Sequence, residues 1–324
     1  MTCPLPAAPW WLQIRTALRI AALCFALAAC ALYAQQGSST RSADLPIGAR
    51  IGAMTLTGAL EWRADRPDFG GFSGLALEGA DGLIALTDKA HWVRTRMIFD
   101  EAGALTGLEG LTVGRLDGPE GDDLMAPFTD SEALSRAADG SLLIGFEGKH
   151  RIGRFATPRA AEERLAPLPD IDTLPPNGSF ESVVALPDGR IAVVAETAAE
   201  GEFPGWLIDG DAVTRFTLVR DGWFAPTDMA MGPQGAWVYL LERRFTLIGG
   251  FAMRLRRFPL DALREGARIE ATPLTEITGP PLAENYEGLA TARDAAGRTL
   301  LYIISDDNFR LAQRTLLLQM RVEE

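Results

Sequence analysis

Cysteine and histidine are scarce in this chain of 324 residues. The three cysteines are Cys3, Cys24 and Cys30, so the chain beyond them has neither a disulfide nor a thiol nucleophile. The two histidines, His91 and His150, are too few for a histidine-rich zinc site. A Ser-His-acid triad lacks a nucleophile motif, and no phosphate-binding loop or dinucleotide fingerprint is present.

Basic residues are also fewer than acidic residues in this chain. The chain has 31 basic residues against 43 acidic ones, which gives a net charge of −12, and only Lys89 and Lys149 are lysines. A protein that binds nucleic acid through a basic face is therefore not expected. Apolar residues make up 47% of the chain, which excludes a disordered chain and allows a large core.

The first 34 residues have the pattern of a targeting signal. Arg15 and Arg19 precede the apolar run of residues 20–34, which is short for a membrane span. Cleavage near Ala34 fits a signal peptide, whereas residues 27–30 (LAAC) resemble a lipobox that would leave Cys30 lipid-modified. An uncleaved anchor is the third alternative. Each alternative places the protein in the periplasm, at the membrane surface or outside the cell, and only the signal or lipid would contact a membrane.

Beyond the signal, the sequence divides into a polar linker at residues 35–50 and one domain at residues 51–324. The domain repeats a short apolar run, a tight Gly-containing turn and a second apolar run, which is typical of β-hairpins. The copies lie at residues 72–88, 131–147, 180–196, 227–242 and 286–306, with steps of 59, 49, 47 and 59 residues. This period predicts an all-β fold, a β-propeller of five blades, with six as the alternative.

The two ends of the domain predict how the ring closes. The last repeat has only one strand after its hairpin, at residues 314–322, and a strand-like segment at residues 53–62 precedes the first hairpin. We expect the N-terminal strand to complete the last blade, because this pairing removes a free sheet edge.

Acidic residues recur at the two ends of each predicted hairpin. Four repeats have an acid just before the first strand, and all five have one where the second strand ends. The first set is Glu132, Glu181, Asp228 and Glu287, with Ser73 in the first repeat. The second set is Asp88, Glu147, Glu196, Glu242 and Asp306. Within a repeat the two positions are 15, 15, 15, 14 and 19 residues apart.

An antiparallel hairpin brings the start of its first strand beside the end of its second, so the acids of one repeat are neighbours. We therefore expect nine carboxylates around one mouth of the propeller channel. Such a cluster requires cations, arginine partners or bound protons, and its oxygen ligands suit Ca²⁺ or Mg²⁺. The alternative is that each acid caps a turn through backbone N–H groups.

Basic residues follow the second set of acids closely. They are Lys149, His150, Arg151, Arg243, Arg244, Arg310 and Arg314. These side chains either pair with the acids or bind a phosphate or carboxylate ligand.

Four stretches of the chain resemble a known family. They are residues 131–152, residues 180–196, residues 284–290 (ENYEGLA) and residues 301–318, which include SDDNF and QRTLLL. They resemble the bacterial, exported phytase-like family described as having esterase-like activity of phytase, over residues 70–318. The resemblance implies a β-propeller whose recurrent acids carry a phosphoesterase-like activity. Here those acids are Glu132, Glu147, Glu181, Glu196, Glu287 and Asp306.

The repeat and the resemblance together suggest an exported phytase-like, cation-dependent phosphoric-ester hydrolase. The expected catalytic residues are Glu181, Glu287 and Asp306. The expected metal ligands are Glu132, Glu147, Glu196, Asp228, Glu242 and Asp88, with Ca²⁺ or another divalent cation as cofactor. The expected substrate-binding residues are Lys149, Arg151, Arg243, Arg244, Asn285, Asn308 and Arg314. A small phosphorylated substrate and a monomeric protein are expected. The alternative function is a non-catalytic envelope propeller that binds a ligand or protein partner.

Overall fold

A computed structural model describes residues 38–175, 178, 180–199, 201–310 and 312–323 of the chain. The predicted signal, with its three cysteines, lies outside the described residues. Within the described part, the helical elements are two 3₁₀ turns at Ile171–Thr173 and Leu260–Ala262. No helix in this part is long and apolar enough to span a membrane.

The strands of the described residues form five sheets that correspond to five blades, and their pairings are antiparallel except for one short parallel pair in blade 3. The chain starts with β1 (Ser38–Ser42), β2 (Arg50–Ile51) and β3 (Met54–Ala64). Blade 1 contains β4 (Phe72–Glu78), β5 (Gly82–Thr87), β6 (His91–Phe99) and β7 (Leu105–Arg115). Blade 2 contains β8 (Ser131–Arg136), β9 (Leu142–Phe146), β10 (Arg151–Phe155) and β11 (Glu163–Arg164).

The remaining blades follow the same order from the inside outwards. Blade 3 contains β12 (Ser182–Ala185), β13 (Ile191–Val194), β14 (Glu202–Asp209) and β15 (Ala212–Val219). Blade 4 contains β16 (Ala225–Met231), β17 (Trp237–Thr246) and β18 (Gly250–Pro259). The short β19 (Arg268–Ile269) adds to blade 3, and β20 (Thr272–Thr278) completes blade 4. Blade 5 contains β21 (Asn285–Arg293), β22 (Thr299–Asp306) and β23 (Leu316–Val322).

The first strand of each blade lies at the inside of the ring. Strands β4, β8, β12, β16 and β21 contact one another in that order, and β21 contacts β4 again. This closed order confirms the predicted five-bladed propeller rather than the six-bladed alternative. The same ends of the five inner hairpins therefore face one mouth of the central channel.

The N-terminal strand closes the ring as the sequence predicted. β3 pairs antiparallel with β23, with Glu61 opposite Leu316 and Met54 opposite Val322. The closure is packed as well as hydrogen-bonded, because the Trp62 ring of blade 5 stacks on Phe72 of blade 1 with centroids 5.5 Å apart. A closed ring holds the channel mouth on rigid strands.

Part of the predicted linker at residues 35–50 forms a strand, because β1 (Ser38–Ser42) lies within it. Strand β1 pairs with the outer side of β3, with Thr40 opposite Trp62. Arg41 Nε and Nη2 both donate to Glu61 Oε2, at 3.0 and 2.6 Å. The reason is that β3 is otherwise an edge strand, whose free backbone groups pair with any adjacent extended segment. Residues 35–37 of the predicted linker lie outside the described residues.

Candidate functional site

The channel mouth is built on β-bulges. The ladder between the first two strands shifts by one residue in blades 1, 2, 4 and 5. The residues left unpaired are Ser73, Glu132, Thr227 and Glu287. In blade 3, Glu181 stands directly before β12, at the corresponding place. A bulge redirects one side chain out of the strand alternation, so the same position in each blade faces the mouth.

The second strand of each hairpin supplies the other side chain at the mouth. In blade 2 the pair before the bulge is Ser131 with Phe146, so the next residue in the second strand is Glu147. In blade 4 that pair is Pro226 with Glu242, so the next residue is Arg243. By the same ladder position, the second strands of blades 1 to 5 contribute one residue each to the mouth. These residues are Asp88, Glu147, Glu196, Arg243 and Asp306.

Two of the predicted metal ligands, Asp228 and Glu242, therefore each lie one residue away from the position that faces the mouth. Asp228 is fully buried, and its carboxylate accepts from the backbone N–H groups of Met229 and Leu289, at 2.8 and 2.7 Å. It binds backbone groups, as the alternative interpretation of the acids expected. Because side chains alternate along a strand, a shift of one residue moves each of them to the opposite face.

Glu242 points away from the other acids for the same reason. It is fully buried, and it accepts from Arg254 Nε at 2.7 Å and from Arg256 Nη2 at 2.6 Å. The 14-residue spacing in the fourth repeat, against 15 in the first three, was the sequence signal of this shift. The set at the mouth, called the mouth acids below, consists of Asp88, Glu132, Glu147, Glu181, Glu196, Glu287 and Asp306.

One side of the mouth is neutralised by arginine. Arg243 donates to Glu287 Oε1, to Asn285 Oδ1 at 2.8 Å and to Glu196 Oε2 at 3.4 Å. Asn285 Nδ2 donates to Glu287 Oε1 at 2.7 Å and to Asp306 Oδ2 at 3.2 Å. Burial disfavours the charge on Arg243, but Glu287 and Glu181 outweigh this effect and raise the pKa of Arg243. The guanidinium is therefore a permanent positive charge within the acidic ring.

The opposite side of the mouth, in blade 2, has three carboxylates close together. Oxygens of Asp130, Glu132 and Glu147 lie within 4.8 Å of one another. Gly178 N–H donates to Glu147 Oε1 at 2.8 Å. Burial, and then the charges of Glu287 and Glu147, raise the pKa of Glu132 well above its usual value. This cluster can hold a metal ion.

Sequence reasoning missed Asp130. The signal available was the spacing of Asp130 and Glu132 in blade 2, which repeats that of Asn285 and Glu287 in blade 5. Both first residues lie one position before the pair that precedes the bulge. Blade 2 therefore has a carboxylate where blade 5 has an amide that donates to its glutamate.

Four further acids at the mouth have raised pKa values, and burial is the largest cause for Glu287 despite its contact with Arg243. Burial, then repulsion from Glu196 and Glu287, raises the pKa of Glu181 well above its usual value. Burial raises the pKa of Asp88 to about 6 and that of Asp306 to about 7, although Asn308 N–H donates to Asp306.

Two carboxylate oxygens at the mouth are buried without a hydrogen-bond partner. Glu181, at 6% exposure, has no partner for Oε2 among the described residues, and within the same residues Asp88 Oδ1 has none. Buried polar atoms of this kind are costly unless a ligand, a proton or water satisfies them.

The donor set fits a hard divalent cation. Ca²⁺ takes six to eight oxygen ligands, and Mg²⁺ binds through carboxylates together with retained waters. Asp130, Glu132 and Glu147 supply clustered oxygens, and the unpartnered Glu181 Oε2 is a further carboxylate oxygen at the mouth. The side held by Arg243 is already neutralised and fits a cation less well.

Five of the seven predicted substrate-binding residues line one of two cavities. Arg243, Asn285 and Asn308 line one cavity of about 500 Å³ beside the mouth acids. Lys149 and Arg151 line another of about 440 Å³ in blade 2.

Three of these arginines are held by acids away from the mouth. Arg151 pairs with Glu162 at 2.6 Å, Arg314 pairs with Glu284 at 2.7 Å, and Arg244 approaches Glu276 at 3.7 Å. Each of them therefore has a structural partner already.

Comparisons with known proteins place these features in context. The family model described as "Phytase-like: Esterase-like activity of phytase" matches residues 67–309. No curated protein matches the sequence. Among solved structures, a gluconolactonase from Xanthomonas campestris shows 12% identity, covering 86% of this chain and 98% of the other, with a TM-score of 0.43. Virginiamycin B lyase from Staphylococcus aureus shows 13% identity, with 83% and 84% covered and a TM-score of 0.40.

Proposed function

Because the chain belongs to the phytase-like family, we propose that it is a divalent-cation-dependent phosphoric-ester hydrolase whose site is the channel mouth. The observation that carries the proposal is the cluster of Asp130, Glu132 and Glu147, whose oxygens lie within 4.8 Å of one another. Three carboxylates this close repel one another when ionised, and a bound cation would stabilise their arrangement. The protein acts outside the cytoplasmic membrane, as the N-terminal signal pattern suggests.

The residues at the mouth would have different roles in the reaction. Asp130, Glu132 and Glu147 would hold the cation, and Ca²⁺ is the candidate. When bound, the cation offsets phosphoryl charge and lowers the pKa of water. Arg243, fixed by Glu287 and Glu196, would orient the anionic phosphoryl oxygens.

Asp306 is the candidate general base. Its raised pKa of about 7 lets it take a proton from water near neutral pH. Asn308 N–H and Asn285 Nδ2 hold its two oxygens, at 2.6 and 3.2 Å. In the reaction, a water oxygen bonds to phosphorus, the P–O bond to the leaving group breaks, and the leaving oxygen takes up a proton.

The test is a Ca²⁺ titration followed by thermal unfolding, together with a panel of phosphate monoesters assayed with Ca²⁺ and with chelator. A ligand that binds only the folded state stabilises it by about 2.7 kcal/mol at a hundredfold excess over Kd. We expect a rise in Tm with Ca²⁺, and turnover that chelator abolishes. If Ca²⁺ changes neither the Tm nor the turnover, the cation-dependent hydrolase is wrong.

A second candidate, a propeller that binds a partner without catalysis, is favoured by one observation. Leu247 and Ile248, at the tip of the β17–β18 hairpin, are 95% and 102% exposed. Exposed apolar groups of this size are unusual on a surface unless they bind something. A protein that binds Ca²⁺ and hydrolyses no ester in the panel would support this candidate.

A further inference from the structure

A cavity of about 500 Å³ lies directly beside the mouth acids. It is formed by the β17–β18 hairpin on one side and by the segment after β22 on the other. Its lining includes Arg243, Phe245, Phe251, Asn285, Arg310 and Gln313. Arg243 and Asn285 belong both to this cavity and to the hydrogen-bond network around Glu287. A molecule whose anionic group reaches the mouth can therefore extend its remaining part into the cavity.

The hairpin side of the cavity is aromatic. Phe245 and Phe251 are direct cross-strand partners, and their rings lie 4.8 Å apart at 51°. Phe245 is 57% exposed. An aromatic pair left open to solvent at the wall of a cavity suits an apolar ligand group, because the ligand would remove that surface from water.

The opposite side is polar and contains an unsatisfied amide. Both Nε2 and Oε1 of Gln313 are buried, and neither has a hydrogen-bond partner among the described residues. Arg310 also lines the cavity, and its side chain is exposed. A buried amide without partners is an unsatisfied donor and acceptor, which the polar end of a ligand can satisfy.

The turn that carries the polar side is strained and held in place. Asn308 and Phe309 both have positive φ, at 49° and 52°. Asp306 Oδ1 accepts from Asn308 N–H at 2.6 Å, and Asp307 Oδ1 accepts from Phe309 N–H at 3.0 Å. Consecutive non-glycine residues in this region are costly and persist where the surroundings fix them, which is common at ligand sites.

We propose that this cavity binds the apolar leaving group of an anionic ester, so that the preferred substrates are aryl or long-chain alkyl phosphates. This inference rests on the proposed phosphoester hydrolase. The anionic group would lie toward Arg243 and Asn285, and the apolar group against Phe245 and Phe251. A sugar or polyol phosphate would place hydroxyl groups against two phenyl rings, where they would lose hydrogen bonds to water.

The kinetic test compares two esters with the same phosphate group, 1-naphthyl phosphate and glycerol 2-phosphate, in the presence of Ca²⁺. We expect the wild type to prefer the naphthyl ester. Phe245→Ala and Phe251→Ala should each lower kcat/KM for that ester by about tenfold or more, and leave glycerol 2-phosphate within about twofold. Phe251→Leu keeps an apolar side chain and should retain most of the preference. Ile47→Ala, an exposed apolar residue elsewhere, is the matched control.

A binding test separates this inference from the hydrolase proposal. Calorimetric titration with 1-naphthylphosphonate and methylphosphonate needs no turnover. If no ester is hydrolysed but the naphthyl compound binds more tightly, and Phe251→Ala removes the difference, the cavity assignment stands and the hydrolase proposal fails. If both esters are hydrolysed equally well, and neither phenylalanine variant changes either rate, the cavity assignment is wrong and the hydrolase proposal stands.

Discussion

Arg243 of blade 4 stands at the ladder position that Glu147 occupies in blade 2. The ring of acids is therefore interrupted by one guanidinium, and the two sides of the mouth differ in charge. On one side Arg243 binds Glu287 and Glu196, whereas on the other Asp130, Glu132 and Glu147 lie together. This asymmetry would give the proposed cation and the proposed anionic substrate separate places at one mouth.

Replacement of Arg243 should have opposite effects on stability and on cation binding. Arg243→Gln leaves buried carboxylates without their partner, so we expect it to lower the free energy of unfolding by about 3 kcal/mol without Ca²⁺. The same change removes a positive charge near the cation, so Ca²⁺ affinity should rise by about tenfold. Urea unfolding and calorimetry measure the two effects.

The control for that experiment is Arg244→Gln. Arg244 is partly exposed and approaches Glu276 at 3.7 Å, so its loss should cost less than about 1 kcal/mol. If Arg243→Gln binds Ca²⁺ more weakly than the wild type does, Arg243 does not repel the cation. The assignment of Arg243 and the cation to separate sides of the mouth is then wrong.

Substitutions of Glu147 and Glu242 should have different effects, although the two residues occupy equivalent positions in the sequence repeat. Glu147→Gln removes a like charge from the cluster and keeps an oxygen for Gly178 N–H. We expect Ca²⁺ affinity to fall by roughly tenfold or more, and stability without Ca²⁺ to stay constant or rise. Calorimetry and thermal unfolding of the calcium-free protein test this pair of effects.

Glu242→Gln is the comparison variant. It leaves Arg254 and Arg256 with a neutral partner in a buried site, so stability should fall by about 3 kcal/mol while Ca²⁺ affinity stays within about twofold. Equal losses of Ca²⁺ affinity in the two variants would mean that the ladder assignment in blade 4 is wrong.

The sequence predicted the ring closely because every blade of a propeller repeats the same hairpin pattern. The hairpin period, the closing strand and seven of the nine acids at hairpin ends follow one pattern, so no single position decides the outcome. The acids of blades 2 and 3 keep the same 15-residue spacing. Period-two patterns determine which face of a strand is buried, and the ladder then fixes each pair.

Blade 4 shows which features of the site the sequence repeat did not predict. Its bulged residue is Thr227, one position before the acid that the repeat aligned with Glu132 and Glu287, and no apolar pattern marks this difference. The partners of Arg243 depend on contacts between blades. Those contacts join residues more than 40 positions apart, so local sequence patterns do not contain them.

Gln319 should be important for closure of the ring. Its Oε1 accepts from Thr57 Oγ1 and from Leu105 N–H, at 2.9 and 3.1 Å, and its Nε2 donates to Gly103 O and to the Tyr302 hydroxyl, both at 3.0 Å. It thereby joins blade 5 to blade 1. We expect Gln319→Leu to lower the free energy of unfolding by about 3 kcal/mol, because buried groups lose their partners.

Urea unfolding checks the role of Gln319, with Thr106→Val as the control. Thr106 makes one exposed bond to Ile98 O, so its loss should stay within about 0.5 kcal/mol. If Gln319→Leu is as stable as the control, the closure depends on strand pairing and apolar packing alone.

Export is tested on the full-length chain in a bacterial host. Mass spectrometry should find a mature protein that begins at Gln35, or one with a lipid-modified Cys30 at its N-terminus. Cys30→Ser distinguishes these outcomes, because it should release a lipoprotein from the membrane and leave a cleaved protein unchanged. Recovery of an intact cytoplasmic protein that begins at Met1 would contradict both.

The calcium-free protein should become less stable as the pH rises from about 4 to above 7. In the folded state the pKa of Asp88 is about 6 and that of Asp306 is about 7, both raised from 3.8 chiefly by burial. The folded state therefore binds more protons than the unfolded chain over this range. Each such group lowers the free energy of unfolding by up to about 1.4 kcal/mol per pH unit until its folded pKa is passed.

Thermal unfolding across this pH range, with and without Ca²⁺, measures the effect. Asp306→Asn keeps an oxygen for Asn308 N–H and should reduce the pH slope. Asp188→Asn is the control with the opposite sign, because the hydrogen bond from Arg190 lowers the pKa of Asp188, and its contribution is lost as the pH falls. Ca²⁺ should flatten the slope, since the cation replaces the bound protons. A wild-type stability that rises between pH 4 and 7 and is unchanged in Asp306→Asn would show that the mouth acids are ionised throughout, and that the arginine and backbone donors suffice to hold them.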